Sequence, residues 1–263
     1  MQSIIIATAA VGIIGLLIGL LLIMVDKKFK VEVDEKEIAV REFLPGNNCG
    51  ACGYAGCDAM AAAIAKGEAP VNGCPVGGTP VAEQIAHIMG VEADETTKEV
   101  AFVKCSGSCD KVVQKSNYVG IHDCASAVAS GLSPWACDYG CLGFGSCAAV
   151  CPFDAITVID GVAVVDRAKC RTCGKCVAVC PKHLIEIIPD DSAYAVSCSN
   201  RDRGPAVKKV CSTGCIGCKL CEKQCENDAV HVENNVASID YSKCTGCGKC
   251  HDKCPAGIIQ KRS

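Results

Sequence analysis

The stretch CIGCKLCEKQC, residues 215–225, carries four cysteines at the spacing C-x2-C-x2-C-x3-C. The stretch CTGCGKCHDKCP, residues 244–255, repeats this spacing and ends in the proline that usually follows it. Such runs are typical of loops that ligate [4Fe–4S] clusters, and in paired runs the fourth cysteine of each ligates the other cluster. Glu226 replaces the proline after the first run, which removes no ligand. The predicted ligand sets are Cys215, Cys218, Cys221 and Cys254, and Cys244, Cys247, Cys250 and Cys225.

A second copy of this two-loop unit lies earlier in the chain. Every cysteine from Cys124 to Cys180 has a counterpart 74 residues later, with no gap. We interpret residues 124–185 and 198–259 as an internal duplication. In each copy a predicted hairpin, such as AITVIDGVAVVD at 155–166, joins the two cysteine loops. The earlier copy predicts one complete ligand set, which is Cys170, Cys173, Cys176 and Cys151.

One ligand is missing from the earlier copy, because Phe144 stands where the later copy has Cys218. The nearest substitute is Cys137, which we favour as the fourth ligand. Its counterpart Cys211 lies in the complete copy, where no substitute is needed, so an older role shared by both copies stays open. A site with only three thiolates is the other alternative. The remaining thiols of this site are Cys141, Cys147 and Cys180.

A different cysteine pattern precedes the duplication. The segment CGACGYAGC, residues 49–57, and a later cysteine before a proline give the spacing C-x2-C-x4-C-x16-C. The alanine-rich residues 58–66 predict a helix that ends at Gly67. Glycines between the thiolates let the loop wrap closely around a cube. We therefore expect a [4Fe–4S] cluster here and keep a four-thiolate zinc site as the alternative. The predicted ligands are Cys49, Cys52, Cys57 and Cys74.

The sets above leave five cysteines without an assigned role, and these five are Cys105, Cys109, Cys124, Cys198 and Cys211. Two of them, Cys105 and Cys198, each end a strand-like apolar segment. Four of the five suffice for a sixth cluster. We expect Cys105, Cys109 and Cys124 as its core, and the fourth ligand would be Cys198, Cys211 or Cys137. The alternative is that several of them are buried apolar thiols.

Composition supports metal clusters. Cysteines make up 25 of 263 residues, whereas aromatic residues make up only 4%. A chain so poor in large side chains cannot build much ordinary core, but cluster ligation supplies folding free energy directly. The cysteines stand in tight groups and their number is odd, which favours clusters over disulfides and hence a reducing compartment. The net charge of −3 gives no indication of nucleic-acid binding.

The sequence contains no glycine-rich motif for a dinucleotide or a nucleotide phosphate. A row of clusters without such a motif is typical of a protein that carries electrons and leaves two-electron chemistry to a partner. We therefore expect no catalytic residue and no substrate-transforming site in this chain. Its expected cofactors are five [4Fe–4S] clusters, with a possible sixth held by the cysteines that the five sets leave over.

Residues 4–25 form an apolar run of 22 residues without a charge. As a helix they would span about 33 Å, which is enough for the apolar layer of a bilayer. The start MQS has no basic residue and no small-residue cleavage site follows the run, so we expect an uncleaved single-pass anchor rather than a signal peptide. The basic stretch DKKFK, residues 26–30, then predicts a cytoplasmic location for the bulk of the chain.

Together these features predict an α+β fold. It begins with a single transmembrane helix, continues with a small four-cysteine iron–sulfur module and ends with two tandem two-cluster ferredoxin-like units. The predicted segments are a transmembrane anchor at 1–25, a linker at 26–45, the four-cysteine module at 46–95, a connecting segment with extra ligand candidates at 96–136, the first ferredoxin-like unit at 137–190 and the second at 191–263.

An N-terminal anchor followed by CGACGYAGC and ferredoxin-type repeats resembles the B subunit of the Rnf ion-translocating oxidoreductase complex, over essentially the whole chain. The resemblance implies an electron-transfer subunit at the cell membrane that takes electrons from reduced soluble ferredoxin. It would pass them to the other subunits of an ion-pumping translocase, whose usual final acceptor, NAD, binds a different subunit. The alternative is an electron-input subunit of another membrane oxidoreductase, of the hydrogenase or formate dehydrogenase type.

Charge is unevenly distributed along the chain. Residues 198–263 hold 11 Lys and Arg against 7 Asp and Glu. Ferredoxins are usually acidic, so this basic end would steer one toward the last clusters. An ordinary solvated face is the alternative. The basic residues considered are Arg201, Arg203, Lys208, Lys209, Lys249, Lys253, Lys261 and Arg262.

Overall fold

The structure, a computed structural model, describes residues 12–24, 34–93 and 97–262. Short helices alternate there with two-stranded antiparallel sheets. The helices are α1 (12–24), α2 (Glu35–Phe43), α3 (Cys57–Ala65), α4 (Gly78–Met89), α5 (Cys124–Ala129), α6 (Ser146–Ala149), α7 (Lys175–Val179), α8 (Gly204–Val210), α9 (Leu220–Gln224) and α10 (Lys249–Asp252). The strands are β1 (Glu99–Val103), β2 (Ile156–Ile159), β3 (Val162–Val165), β4 (Ile185–Pro189), β5 (Tyr194–Val196), β6 (Val230–Glu233), β7 (Val236–Ile239) and β8 (Ile259–Lys261).

Helix α1 belongs to the apolar N-terminal run, and its large leucine and isoleucine side chains are exposed. In the part of the chain that the structure describes, no helix combines the length and the apolar character needed to cross a membrane. The span predicted from the sequence, residues 4–25, extends beyond the described residues at both ends.

Helices α2, α3 and α4 pack together as a small module, and α3 is the helix that the alanine-rich segment predicts. The buried side chains of Met60, Ile64 and Ile85 form part of its core. Asn48 shapes the preceding cysteine loop. It adopts a positive φ of 45°, and its side-chain oxygen accepts a 2.8 Å hydrogen bond from the Cys57 amide. This contact holds the last cysteine of the loop at the start of α3.

Residues 99–262 contain two ferredoxin-like units of the same construction. In each unit a leading strand pairs antiparallel with a closing strand, β1 with β4 and β5 with β8. Between these strands lie two cysteine loops and a hairpin, β2–β3 in the first unit and β6–β7 in the second. The first unit therefore extends back to β1, which lies in the segment that the sequence predicts to be a connection.

The strand register shows that the duplication contains a gap. Ile185 and Ile259 hold equivalent positions 74 residues apart, but their partners Val103 and Val196 lie 93 residues apart. The first unit thus has 19 more residues than the second between its leading strand and its first cysteine loop. An alignment without a gap, as the cysteine spacing predicts, places the residues before the first loop opposite the wrong counterparts.

Candidate iron–sulfur sites

The complete cysteine run of the second unit surrounds a cavity. Cys221 lies in α9, a short helix that follows Lys219 with its positive φ of 59°. Burial raises the pKa of the Cys221 thiol to about 11, and neighbouring thiols add to the rise. Such a thiol must lose its proton to bind a metal, so cluster assembly here releases protons. The thiols that line the cavity are Cys215, Cys218, Cys221 and Cys254, the set that the spacing predicts.

The other predicted set of the second unit is organised by α10. Burial raises the pKa of the Cys250 thiol, with smaller contributions from Cys244 and Cys247. Cys225 accepts a 3.2 Å hydrogen bond from the Ala229 amide and packs against the same apolar core as Cys250. The structure thus places two loop thiols near Cys250 and packs Cys225 against the same apolar core as Cys250.

The first unit has a cavity that is lined in part by Ala101 of β1. Burial raises the pKa of the Cys176 thiol to about 12, and the adjacent thiols Cys170 and Cys173 raise it further. The Ala101 amide, in β1, directs its N–H at Cys170 Sγ at 3.4 Å. The leading strand therefore contributes a hydrogen-bond donor to this site. The lining thiols are Cys151, Cys170, Cys173 and Cys176, again the predicted set.

The four-cysteine module gathers its thiols beside the core of α2–α4. Cys74 lies near Cys52 and Cys57, whose charges add to the effect of burial in raising its pKa. All three thiols pack against the apolar cluster of the module. Cys49 is half-buried in the same loop, three residues before Cys52. Cys52 and Cys74 also line a cleft that reaches Cys170 of the first unit.

The structure brings Cys124, rather than the favoured Cys137, to the site where Phe144 replaces a cysteine. Cys124 is the first residue of α5, in the segment before the first cysteine loop, which is 19 residues longer in the first unit than in the second. The thiols that line this cavity are Cys124, Cys141, Cys147 and Cys180. Burial raises the pKa of the Cys147 thiol to about 11, and its thiol neighbours raise it further. The favoured Cys137 does not line this cavity and lies in another one, whereas Cys124 lines it from the start of α5.

Polar contacts fix α5 against the cluster loop. Asp123 caps the helix by accepting a 2.8 Å hydrogen bond from the Ser126 amide. The Ser146 hydroxyl donates to Asp123 Oδ1 at 2.8 Å and accepts from the Cys124 amide at 2.8 Å. Ser146 directly precedes Cys147, so these bonds join the substitute thiol to the loop that it completes. Phe144 itself turns away to pack on aromatic rings, with Tyr118 at 4.8 Å between ring centroids.

A further set of thiols lies between the two units, and we call it the bridging site. Its members are Cys105, Cys137, Cys198 and Cys211, which line one cavity together with Cys141. Cys105 and Cys198 each lie two residues after a leading strand. Each accepts a hydrogen bond from the backbone N–H of the first cysteine in the first cysteine loop of its unit, Cys105 from Cys141 at 3.4 Å and Cys198 from Cys215 at 3.2 Å. The two units thus contribute matching pairs of thiols.

The predicted core of the sixth site is only partly found in the structure. Cys105 lies in the bridging site, but Cys124 lies in the Phe144 site and Cys109 lies in neither cavity. Cys109 is exposed beside the β2–β3 turn, where its amide donates to the Asp160 carbonyl at 2.9 Å. The signal that identifies the bridging pair is the strand–x–Cys pattern in FVKC and AVSC, which the ungapped alignment conceals.

The donors around these cavities fit iron–sulfur clusters. They are thiols, and backbone N–H groups point at several of the sulfurs. Within residues 12–24, 34–93 and 97–262, no three Cys, His, Asp or Glu side chains are close enough together to hold a single metal ion. The thiolates of a cube bind different irons, so a cluster needs its ligands spaced around a cavity rather than around one point.

Comparison with protein-family models identifies four iron–sulfur regions. Residues 44–76 match a putative Fe–S cluster family, and residues 133–192 match a 4Fe–4S dicluster domain. Residues 212–228 and 237–260 each match a 4Fe–4S binding domain. The chain is therefore an iron–sulfur protein with several [4Fe–4S] clusters.

Curated relatives match the chain over nearly its whole length. The B subunit of the Na⁺-translocating ferredoxin:NAD⁺ oxidoreductase complex of Acetobacterium woodii is 45% identical, over 98% of this chain and 78% of the relative. The B subunit of an ion-translocating oxidoreductase complex of Methanosarcina acetivorans is 43% identical over 100% of both chains. The B subunit of the proton-translocating ferredoxin:NAD⁺ oxidoreductase complex of Clostridium ljungdahlii is 44% identical, over 99% of this chain and 93% of the relative.

Proposed function

The chain belongs to the family of B subunits of the Rnf ion-translocating oxidoreductase complexes, and we propose that it conducts electrons through six [4Fe–4S] clusters. The observation that carries this proposal is the arrangement of its thiols around separate, closely neighbouring cavities. A single cluster can serve structure or sensing, whereas a series of neighbouring clusters serves electron transfer. The chain acts as a subunit of an oxidoreductase and transforms no substrate by itself.

Each proposed cluster has four thiolate ligands, and Cys109 is the one cysteine that ligates none. The sets at the Phe144 site and the bridging site follow from the cavities, and the sets of Cys170 and Cys215 combine cavity and spacing. The sets of Cys49 and Cys244 follow from spacing and from the packing of their thiols. The six sets are Cys49, Cys52, Cys57 and Cys74; Cys151, Cys170, Cys173 and Cys176; Cys124, Cys141, Cys147 and Cys180; Cys105, Cys137, Cys198 and Cys211; Cys215, Cys218, Cys221 and Cys254; and Cys225, Cys244, Cys247 and Cys250.

Contacts between neighbouring sites support one continuous path. Cys141 lines both the bridging cavity and the Phe144 cavity. On the other side, the Cys215 amide of the second unit donates to Cys198 of the bridging site. The cleft that joins Cys74 to Cys170 continues the path into the four-cysteine module. Electrons would therefore pass from the second unit through the bridging site to the first unit and then to the module.

We propose reduced ferredoxin as the electron donor and the second unit as its docking site. The names of two of the relatives specify ferredoxin and NAD⁺ as the reactants of their complexes. Lys208 and Lys209, in the last turn of α8, are exposed, as are Arg201 and Arg203. Such a basic surface attracts an acidic partner and speeds its encounter. The electrons would leave from the four-cysteine module to the other subunits, one of which binds NAD.

We also propose that residues 4–25 anchor the chain in the cell membrane as a single span, with the clusters on the cytoplasmic side. The support is the exposed apolar surface of α1, together with the basic residues that follow the run. The anchor is tested by washing membrane vesicles with alkaline carbonate. Full-length chain should stay with the membranes, whereas a variant without residues 1–30 should be released; release of the full-length chain would contradict an anchor.

The six-cluster proposal is tested on full-length chain purified without oxygen. We expect about 24 iron atoms and as many sulfides per chain, because each cube holds four of each. Alkylation of the folded, loaded chain should label one thiol, Cys109, whereas the chain stripped of iron and denatured should show all 25. About 20 irons per chain, with alkylation of Cys105, Cys137, Cys198 and Cys211, would show that no cluster forms at the bridging site.

Titration with reduced ferredoxin tests whether ferredoxin is the electron donor. The absorbance of oxidised clusters should bleach as ferredoxin is added, in proportion to the electrons delivered. A chain that contains its iron but is not reduced by ferredoxin, while a chemical reductant of similar potential reduces it, would point to another donor. Copurified subunits would then show which membrane oxidoreductase it serves.

A further inference from the structure

The bridging site is symmetric in its thiols but not in its surroundings. Gly107 and Asn200 hold equivalent positions, each two residues after the strand cysteine of its unit. The amides of both residues hydrogen-bond to that cysteine, so the backbone keeps the symmetry. The side chains break the symmetry, since Asn200 carries a carboxamide group and Gly107 has no side chain. The equivalent thiols are Cys105 with Cys198, and Cys137 with Cys211.

Asn200 reaches across from the second unit to a thiol of the first. Its side chain is buried, with the residue only 2% exposed, and its Nδ2 donates to Cys137 Sγ at 3.5 Å. Its Oδ1 accepts a 2.7 Å hydrogen bond from the Asp202 amide. A backbone N–H can only donate, so this bond requires the oxygen on that side. The NH₂ group therefore faces the sulfur.

Gly107 leaves the corresponding position on the other side open. A Cβ placed on Gly107 would lie 3.6 Å from Cys211 Sγ and 3.7 Å from Cys105 Sγ, which are ordinary contact distances. A side chain at residue 107 would thus face the thiol of the second unit, as Asn200 faces the thiol of the first. Cys211 instead has a hydroxyl neighbour, Thr213 Oγ1 at 3.7 Å.

We propose that the Asn200 amide raises the reduction potential of the bridging cluster by donating a hydrogen bond to its ligand Cys137. This inference rests on the six-cluster function proposed above. Reduction adds one electron, taken from a reduced neighbouring cluster that is thereby oxidised, and the added negative charge spreads onto the thiolates. A donor N–H stabilises the more negative state, and its effect is larger in a buried, water-poor site.

The position of the bridging site explains how a raised reduction potential would affect electron transfer between the two units. The site lies between the two units and adjoins one further thiol site in each. A cluster of higher potential at that junction holds the electron that has left the second unit and slows its return. Asn200 would thus favour the step from the second unit onto the bridging cluster, and onward transfer requires a cluster of comparable or higher potential in the first unit.

Removal of the amide is the direct test. In the iron-loaded full-length chain, we expect Asn200→Ala to lower the midpoint potential of one cluster, followed by EPR during a redox titration. At the wild-type midpoint the ratio of oxidised to reduced cluster should rise about tenfold, which corresponds to about 59 mV for one electron. Asn227→Ala is the matched control, because Asn227 donates to Thr245 and does not line the bridging cavity.

Addition of an amide on the opposite side tests the same claim in the other direction. We expect Gly107→Asn to raise the midpoint of the same cluster, since the new side chain would face Cys211. If Asn200→Ala loses four irons and fails to assemble the bridging cluster, Gly107→Asn still tests whether an amide donor raises the midpoint potential of that cluster. Unchanged midpoints in an iron-complete Asn200→Ala chain, or in Gly107→Asn, would overturn the inference. A wild-type chain that lacks the bridging cluster would instead refute the six-cluster function.

Discussion

Phe144 and Cys124 show how two equivalent sites take one of their proposed ligands from different places in the chain. In the second unit the thiol at this position is that of Cys218, inside the cysteine loop. In the first unit the loop carries Phe144, and Cys124 enters the cavity from α5. The thiol is held by the helix cap at Asp123 and by Ser146, so its position does not depend on the loop sequence alone.

We expect Cys124→Ser to damage one cluster and to leave the others intact. A hydroxyl is a poor replacement for a thiolate ligand of iron, so the chain should lose between one and four irons. Iron analysis and the EPR signal of a three-iron cluster would measure the loss. The same substitution at the exposed Cys109 should leave the iron content and the spectrum unchanged. Full iron in Cys124→Ser would assign the fourth ligand elsewhere.

A cysteine placed at residue 144 should serve as the fourth ligand of this site. We expect the double variant Cys124→Ser, Phe144→Cys to regain the iron that Cys124→Ser loses, because the loop would then match the spacing around Cys218. Phe144→Cys alone should keep a full iron count. If the double variant stayed as depleted as the single one, the first loop would not have the shape of the second.

At the level of elements, each unit depends on a close contact between a cysteine loop and a hairpin turn. Gly143 has a positive φ of 78°, and a Cβ added to it would lie 2.6 Å from the Gly161 carbonyl oxygen. In the second unit Gly217 makes the equivalent contact with Asn235, at 3.1 Å. The loop and the turn therefore meet backbone to backbone, which leaves no room for a side chain.

Gly143→Ala should destabilise the first unit by more than its backbone conformation alone explains. A left-handed conformation costs an alanine about 1–2 kcal/mol, and the contact with the turn adds a displacement of the hairpin. Gly131→Ala is the control, since Gly131 has a similar φ of 68° but no atom within 4 Å of the added Cβ. Thermal unfolding followed by cluster bleaching should show the larger decrease in midpoint for Gly143→Ala. Equal decreases would mean that the hairpin yields without cost.

At the scale of the whole molecule, the cations of the second unit bear on where ferredoxin would dock at the start of the proposed path. Lys249 is paired with Glu226, and Arg262 is bound to the Pro189 carbonyl, so these two cations are engaged within the chain. Lys208 and Lys209 lie exposed on α8. As exposed cations of the second unit, both attract an acidic protein from solution.

Reversal of charge at Lys208 and Lys209 should slow reduction by ferredoxin, most strongly at low ionic strength. Like charges then repel during the encounter. Added salt weakens this repulsion, because at 0.1 M ionic strength charges more than about 10 Å apart are largely screened. Stopped-flow rates over a range of salt concentrations measure this. The double variant Lys36→Glu, Lys66→Glu, which changes two exposed lysines of the four-cysteine module, should react at the wild-type rate. Equal rates for both variants at low salt would move the docking site away from α8.

The cysteine loops illustrate what can be predicted from sequence. A run such as Cys170, Cys173 and Cys176 supplies three ligands from one short loop, so local spacing suffices to define most of a set. The helix after Cys57 is likewise local, since alanine-rich composition and a following glycine predict it. The sites that differ from prediction draw ligands from distant elements. Cys124 and the bridging thiols are brought together only when strands and an inserted helix pack.

The sequence by itself determined the kind of cofactor and the two tandem units, and it predicted most of the proposed ligand sets, because thiolate spacing within a loop is dictated by the size of the cluster that the loop surrounds. Only the tertiary structure decided how the Phe144 site is completed and how the two units share the bridging site. The pairing of β1 with β4 revealed the 19 additional residues. Which thiols meet across such an insertion depends on strand register and packing, which no spacing along the chain encodes.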